Sequence, residues 1–169
     1  YERPVMVRGW TLPGVMTTGA AQTLWRSYRT LPGQRVAVCG SGPLNAQLAL
    51  ELANGGAEVT ILAESASPPW HAPKAALMAA LADPALVVKG LSILRGLKQR
   101  GVALHYTTRL KNIERNGKLL SAQFQSNSGQ ITEADVDAIC MNAGFEPQNE
   151  ILRLLGAEMS YETSVGYLR

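Results

Sequence analysis

A chain of 169 residues with 46% hydrophobic side chains is long enough for one domain with a buried core, and no apolar run in it reaches the length of a bilayer span. Its net charge of +3 is spread along the chain without a Lys/Arg cluster, so there is no footprint for nucleic acid. The two cysteines, Cys39 and Cys140, make neither a CxxC nor a zinc spacing and read as buried strand thiols of a reducing cytosol.

The sequence begins at Tyr1 without a methionine, lacks a signal-peptide layout, and reads as cut from something larger. Residues 1–13 are extended and aromatic, with Pro4, Gly9 and Pro13 as breakers. Leu12-Pro13-Gly14 turns into a very short strand at Val15-Met16. Thr17 or Thr18 supplies the acceptor that starts a helix over 19–29, with Leu24, Trp25 and Tyr28 on one face and Leu31-Pro32-Gly33 as its stop. Residues 35–39 form a buried strand, 44–53 an amphipathic helix closed by Asn54-Gly55-Gly56, and 58–62 a parallel neighbour at crossover distance. A loop at 65–73 precedes a short helix over 74–81. Pro84 favours a fresh helix over 85–100, closed by Gly101. Residues 102–107 read as a third parallel strand. The period then changes. Segments 109–115 and 119–125 flank Asn116-Gly117, a strong hairpin signal, and Ser128-Gly129 turns into a further strand near 130–133. Residues 136–141 close the parallel sheet, and 149–155 make a short helix. This order predicts an α/β fold: a Rossmann-like three-layer parallel sheet with an antiparallel three-stranded meander laid against it.

The sheet is organised around Cys39-Gly40-Ser41-Gly42-Pro43-Leu44-Asn45, where a buried strand stops and a helix starts at once. Such a turn offers backbone N–H groups and the positive end of a helix dipole to a phosphate. Gly40 permits the tight turn, and Gly42, without a Cβ, lets a pyrophosphate approach. Asn45 stands where the third glycine of the pattern falls. Counting along the second strand puts Ala63 at the place of the ribose-binding acid and Glu64 one residue later, on the opposite face. No arginine follows closely enough for a 2′-phosphate site. The turn is therefore either a working dinucleotide cradle or an inherited scaffold.

Three stretches carry a family resemblance. Gly9-Trp10-Thr11-Leu12-Pro13-Gly14 and the Val15-Met16-Thr17-Thr18-Gly19-Ala20-Ala21-Gln22 that follows resemble the segment entering the NAD domain of FAD-dependent pyridine nucleotide-disulfide oxidoreductase-like proteins. Residues 36–64 are similar to that family's second glycine-rich βαβ unit. Residues 136–149, with Gly144-Phe145-Glu146-Pro147, resemble its return segment. Within the family the likeness leans to the FAD-binding component of opine (octopine/nopaline) oxidases and the flavin component of hydrogen cyanide synthase. The resemblance implies an FAD domain interrupted by an NAD(P)-binding-like domain at 33–142. Residues 1–32 are then a flank carrying one helix, and 143–169 the return toward the FAD domain. It implies FAD as cofactor of the parent, mostly held outside this stretch, with NAD(P) possible here. Gly40, Ser41, Gly42, Pro43, Leu44 and Asn45 would form the pyrophosphate turn, Glu64 or Ser65 would lie near the ribose, and Gly144 near the nicotinamide. It further implies an amine or opine substrate oxidised through flavin, and assembly with other subunits of an oxidase complex or with copies of itself.

No Ser/His/Asp, metal or redox-cysteine constellation forms at a convincing spacing, so no catalytic or metal-binding residue is assigned. His71 reads as a solvated loop residue and His105 as the polar face of a strand. Trp70 with Pro68 and Pro69 forms an exposed apolar tip suited to a partner. The parent enzyme is expected in the cytoplasm, with no membrane span and no nucleic-acid partner, and the fragment by itself is expected to be inactive.

Overall fold

The computed structural model describes residues 1–163 and 166–168. The chain opens with β1 (Val15–Thr17) and α1 (Thr18–Tyr28). The Thr17 side chain accepts from the Ala20 N–H, which fixes the helix start, and Arg29 in the left-handed region closes it. The helix thus ends before Leu31-Pro32-Gly33. Tyr28, expected on the packed face with Trp25, lies in the last turn and is exposed.

β2 (Arg35–Gly40), α2 (Pro43–Asn54) and β3 (Glu58–Glu64) form the first βαβ unit. A 3-10 turn at Pro69–His71 leads into α3 (Pro73–Ala82) and α4 (Pro84–Gln99). Asp83 separates the two helices and accepts from the Leu86 N–H, so it caps the second while Pro84 occupies its first turn. β4 (Leu104–His105) is only two residues long, against the six expected at 102–107. The Val102 N–H is drawn back to the Leu97 carbonyl by the helix closure, and Thr107 turns away with φ +50°.

The meander is β5 (Thr108–Asn116), β6 (Leu119–Ser126) and β7 (Ile131–Val136), and β8 (Ala138–Asn142) returns to the parallel sheet. Val136, read from sequence as the start of the return strand, belongs instead to the meander, opposite Leu120. Asp137 makes the corner, its carboxylate accepting from the Gln34 and Arg35 N–H groups at 3.0 and 2.7 Å. α5 (Glu150–Leu154) and an antiparallel pair, β9 (Tyr161–Glu162) and β10 (Tyr167–Leu168), follow. The pair was not expected. Of the return segment at 143–169, Ser164, Val165 and Arg169 lie outside the described residues.

The five strands run in the order β1-β8-β2-β3-β4, every neighbouring pair parallel. One face packs Val36, Val38, Val59, Leu62 and Cys140 under the helices, with Leu48 and Leu52 of α2 fully buried. Each such leucine contributes roughly 1.5–3 kcal/mol. The other face packs Ala37, Cys39, Ile61, Ala63 and Met141 against Ile113, Leu120 and Phe124 of the meander. Helices, parallel sheet and meander are the three layers read from the sequence.

Candidate functional site

β2 ends at Gly40 with φ +128°, where a Cβ would stand 1.9 Å from the Asn142 carbonyl oxygen. The chain can pass this close to β8 only as glycine. The next N–H, of Ser41, donates to that same oxygen at 2.7 Å. Gly42 has φ +109°, and a Cβ there would meet nothing within 4 Å. Open space therefore lies where a side chain would project over the start of α2. Pro43 brings no N–H to the first turn, and the Asn45 N–H reaches the Gly42 carbonyl at 3.3 Å. The Leu44 N–H keeps no acceptor among the described residues, an orphan donor of the kind a helix N-terminus offers an anion.

Glu64, not Ala63, faces this turn. Val36 pairs with Val59 but Ala37 pairs with Ile61, so Thr60 is an extra residue in β3. Its hydroxyl reaches back to the Val36 carbonyl at 3.3 Å. A bulge of one residue inverts every side chain beyond it. Ala63 is thereby turned into the meander core, fully buried, and the face assigned to it by counting is corrected to Glu64. The Glu64 carboxylate accepts from the Gly42 N–H at 3.0 Å and from the Ala66 N–H at 2.9 Å. It bridges the glycine turn to the loop after β3. Ser65 directs its N–H to the Gly40 carbonyl at 2.8 Å and lines a separate cleft, on the meander side with Thr108 and Arg109.

A cleft of about 300 Å³ opens between the turn and α4. Ser41, Gly42 and Pro43 form one wall, Glu64 the floor's polar corner, and Leu62, Ile93, Leu94, Leu104 and Tyr106 an apolar wall. Among the described residues Glu64 is the one charged side chain lining it. Burial, and then the nearby Glu64 charge, hold the Tyr106 hydroxyl above its ordinary range, so it stays protonated. Trp70 stands edge-on to Tyr106, centroids 5.4 Å apart, at the side of the cleft.

Asn45 is buried rather than misplaced. Its side-chain oxygen accepts from the Thr18 hydroxyl at 2.7 Å and its amide donates to the Asn142 carbonyl at 3.0 Å. The Asn142 side chain in turn donates to Glu2 and accepts from the Gly144 N–H at 2.7 Å. Glu2 also accepts from the Gly19 N–H at the start of α1. Of the residues expected at the turn, Ser41, Gly42, Pro43 and Glu64 line the cleft, while Gly40 packs on β8 and the Asn45 side chain is buried toward Thr18 and Asn142. Gly144, expected toward a nicotinamide, lies across β8 and joins them through Asn142. Tyr106 and Asn142 carry no role in the reading of the residues themselves, and Thr18, offered there as an alternative helix cap, instead donates to Asn45 while Thr17 makes the cap. Their partners are too distant in sequence to leave a local signal.

Among the described residues no group of His, Cys, Asp and Glu comes together to hold a metal ion. Cys39 faces the meander and Cys140 the helices. Burial pushes the Cys39 thiol up to about 12, and burial raises Cys140 as well. The thiolate is the reactive form. Both cysteines are therefore expected to resist iodoacetamide in the folded protein at neutral pH and to react fully in urea, which peptide mass mapping checks.

Three comparisons bear on this geometry. The chain is 30% identical to the HcnB component of hydrogen cyanide synthase from Pseudomonas aeruginosa, over 100% of this chain and 37% of that protein. It is 27% identical to an opine oxidase component from Agrobacterium tumefaciens, over 95% of this chain and 31% of that protein. It spans roughly a third of the length of these curated relatives. Among solved structures, it shares the fold of the water-forming NADH oxidase from Lactobacillus brevis at a TM-score of 0.60 and 15% identity, covering 96% of this chain and 32% of that one. The match to the family pattern runs over residues 9–166, nearly the whole sequence, and so takes in the glycine turn, the strand that ends at Glu64, the meander and the return strand. The chain belongs to the pyridine nucleotide-disulphide oxidoreductase family.

Proposed function

We propose that this chain is the NAD(P)-binding-like domain of an FAD-dependent oxidoreductase that oxidises an amine or opine substrate. In this reading residues 33–142 are the domain, 1–32 and 143–169 connect it to a flavin domain, and the parent is a cytoplasmic enzyme with further subunits. The names of the relatives, subunits of an opine oxidase and of hydrogen cyanide synthase, support the substrate class and the assembly. FAD would supply the redox chemistry in the parent, and none of its site is assigned to these residues.

The observation that carries nucleotide binding is the open space over Gly42 beside the Glu64 carboxylate. The Leu44 N–H and the dipole of α2 would hold a phosphate. Glu64 would accept from ribose hydroxyls, and Leu62, Ile93, Leu94 and Leu104 would enclose an adenine ring. A 2′-phosphate would meet Glu64 and no cation. NADH and ADP-ribose are therefore expected to bind, and NADPH at least about tenfold more weakly, which is about 1.4 kcal/mol. Titration calorimetry with the three ligands checks this. A folded protein that binds none of them at millimolar concentration rejects the reading.

A second reading is favoured by one observation. The Gly42 N–H is already taken by Glu64 and Pro43 has none, so fewer donors face the opening than in a fully equipped turn. The domain would then be a scaffold that joins subunits and binds no nucleotide.

A further inference from the structure

We propose that the exposed apolar surface of α3 and the first half of α4 is a docking surface for a different polypeptide, one presenting an apolar face rimmed by carboxylates. The helix α3 is built of alanine, leucine and methionine, with Lys74 its one charged residue. A helix apolar on every side is normally buried. Here Leu77, Met78 and Leu81 are each at least 60% exposed, and so are Leu86, Val88 and Leu91 of α4 and Trp70 just before the hairpin. On α4, Val88 and Leu91 point away from the core-packed Ile93 and Leu97, while Leu86 continues that inner stripe beyond the edge of the core. Trp70, propped edge-on against Tyr106, sits at one end as the type of aromatic anchor that carries binding energy.

The charges decide the occupant. Lys74, Lys89, Arg95, Lys98 and Arg100 are all exposed on or directly after these helices. The one acid between them, Asp83, is engaged in capping α4. A second copy would set five cations against five, and like charges brought together across an interface cost several kcal/mol. A partner with carboxylates around an apolar centre meets the same cations favourably and is steered toward them. The proposal shares with the proposed function only the expectation of a further subunit, and its test contains no nucleotide, so either can fail alone.

The test uses the full chain and two labelled amphipathic helical peptides with one leucine stripe, flanked by glutamates in one and by lysines in the other. The glutamate peptide is expected to bind, read by the anisotropy of its label. The lysine peptide is expected to bind at least tenfold more weakly. Binding of the first is expected to fall as salt rises, since screening acts on exposed charges. Leu81→Asp, at an exposed position, is expected to abolish it with an unchanged circular dichroism spectrum, and Lys89→Glu with Lys98→Glu to reverse the preference between peptides. Light scattering is expected to show no self-association. Equal binding of both peptides, binding of neither, indifference to Leu81→Asp, or a dimer that Leu81→Asp dissociates would each overturn the proposal.

Discussion

Gly40→Ala is expected to leave no stably folded protein, whereas Gly42→Ala, two residues on, is expected to fold and to lose nucleotide. The two glycines share a turn and a positive φ, at +128° and +109°. What differs is their surroundings. A Cβ at position 40 would stand 1.9 Å from the carbonyl oxygen and 2.6 Å from the carbonyl carbon of Asn142. Both atoms are backbone, and Gly40 pairs with Asn142 in the β2–β8 ladder, so relief requires the two central strands to part. The cost is expected to exceed about 4 kcal/mol, the range reserved for severe substitutions, out of a total stability on the order of 5–15 kcal/mol. At position 42 the Cβ meets nothing within 4 Å, and the penalty is that of an unfavourable φ alone, about 1–3 kcal/mol. The same methyl group fills the space over the start of α2. NADH and ADP-ribose binding is expected to weaken at least about tenfold, about 1.4 kcal/mol. Urea unfolding followed by circular dichroism reads the first effect and calorimetry the second. Unchanged NADH binding by folded Gly42→Ala would place the nucleotide somewhere other than over this turn, whereas no binding by the parent protein would favour the scaffold reading.

The parts of this fold that were legible in the sequence are local. A buried strand followed at once by Gly40-Ser41-Gly42 and a proline-started helix places the turn, and Asn116-Gly117, with Gly117 at φ +60°, places the hairpin of the meander. The face of Glu64 was not legible for a physical reason. β3 is buried on both sides, so Val59, Ile61, Leu62 and Ala63 are all apolar and the run carries no alternation from which to read a register. One extra residue at Thr60 leaves no mark in such a run, yet it exchanges Ala63 for Glu64 at the turn. The third strand was overread for a similar reason. Val102 is apolar and buried, but it is held by the closing bonds of α4, not by a strand ladder. Asn45 looked like a departure from a glycine pattern because its partners lie 27 and 97 residues away.

Asn45→Gly, which restores that pattern, is expected to destabilise the protein by about 2–4 kcal/mol. The glycine of the pattern serves close packing between helix and strand, and a larger residue is admitted only if its polar atoms are met. Here both the oxygen and the nitrogen have a partner. The Asn45 oxygen takes the hydroxyl of Thr18, itself fully buried, and the amide reaches the Asn142 carbonyl. Glycine would leave the Thr18 hydroxyl without its acceptor, a loss of about 1–3 kcal/mol. It would remove the second bond from the Asn142 carbonyl, which retains only the Ser41 N–H. It would also loosen the first turn of α2 by up to about 1 kcal/mol. Thr18→Val alone is expected to be nearly as damaging, and the double variant to fall short of the sum by about 0.5–3 kcal/mol, because both changes break one bond. Urea midpoints of the two single variants and the double variant measure that coupling. Additive effects, or an Asn45→Gly protein as stable as the parent, would mean that the side chain is merely accommodated. Strong coupling would mean that Asn45 ties the N-terminus of α1 to the glycine turn and to β8, so that the turn is held in shape from three elements whether or not a nucleotide occupies it.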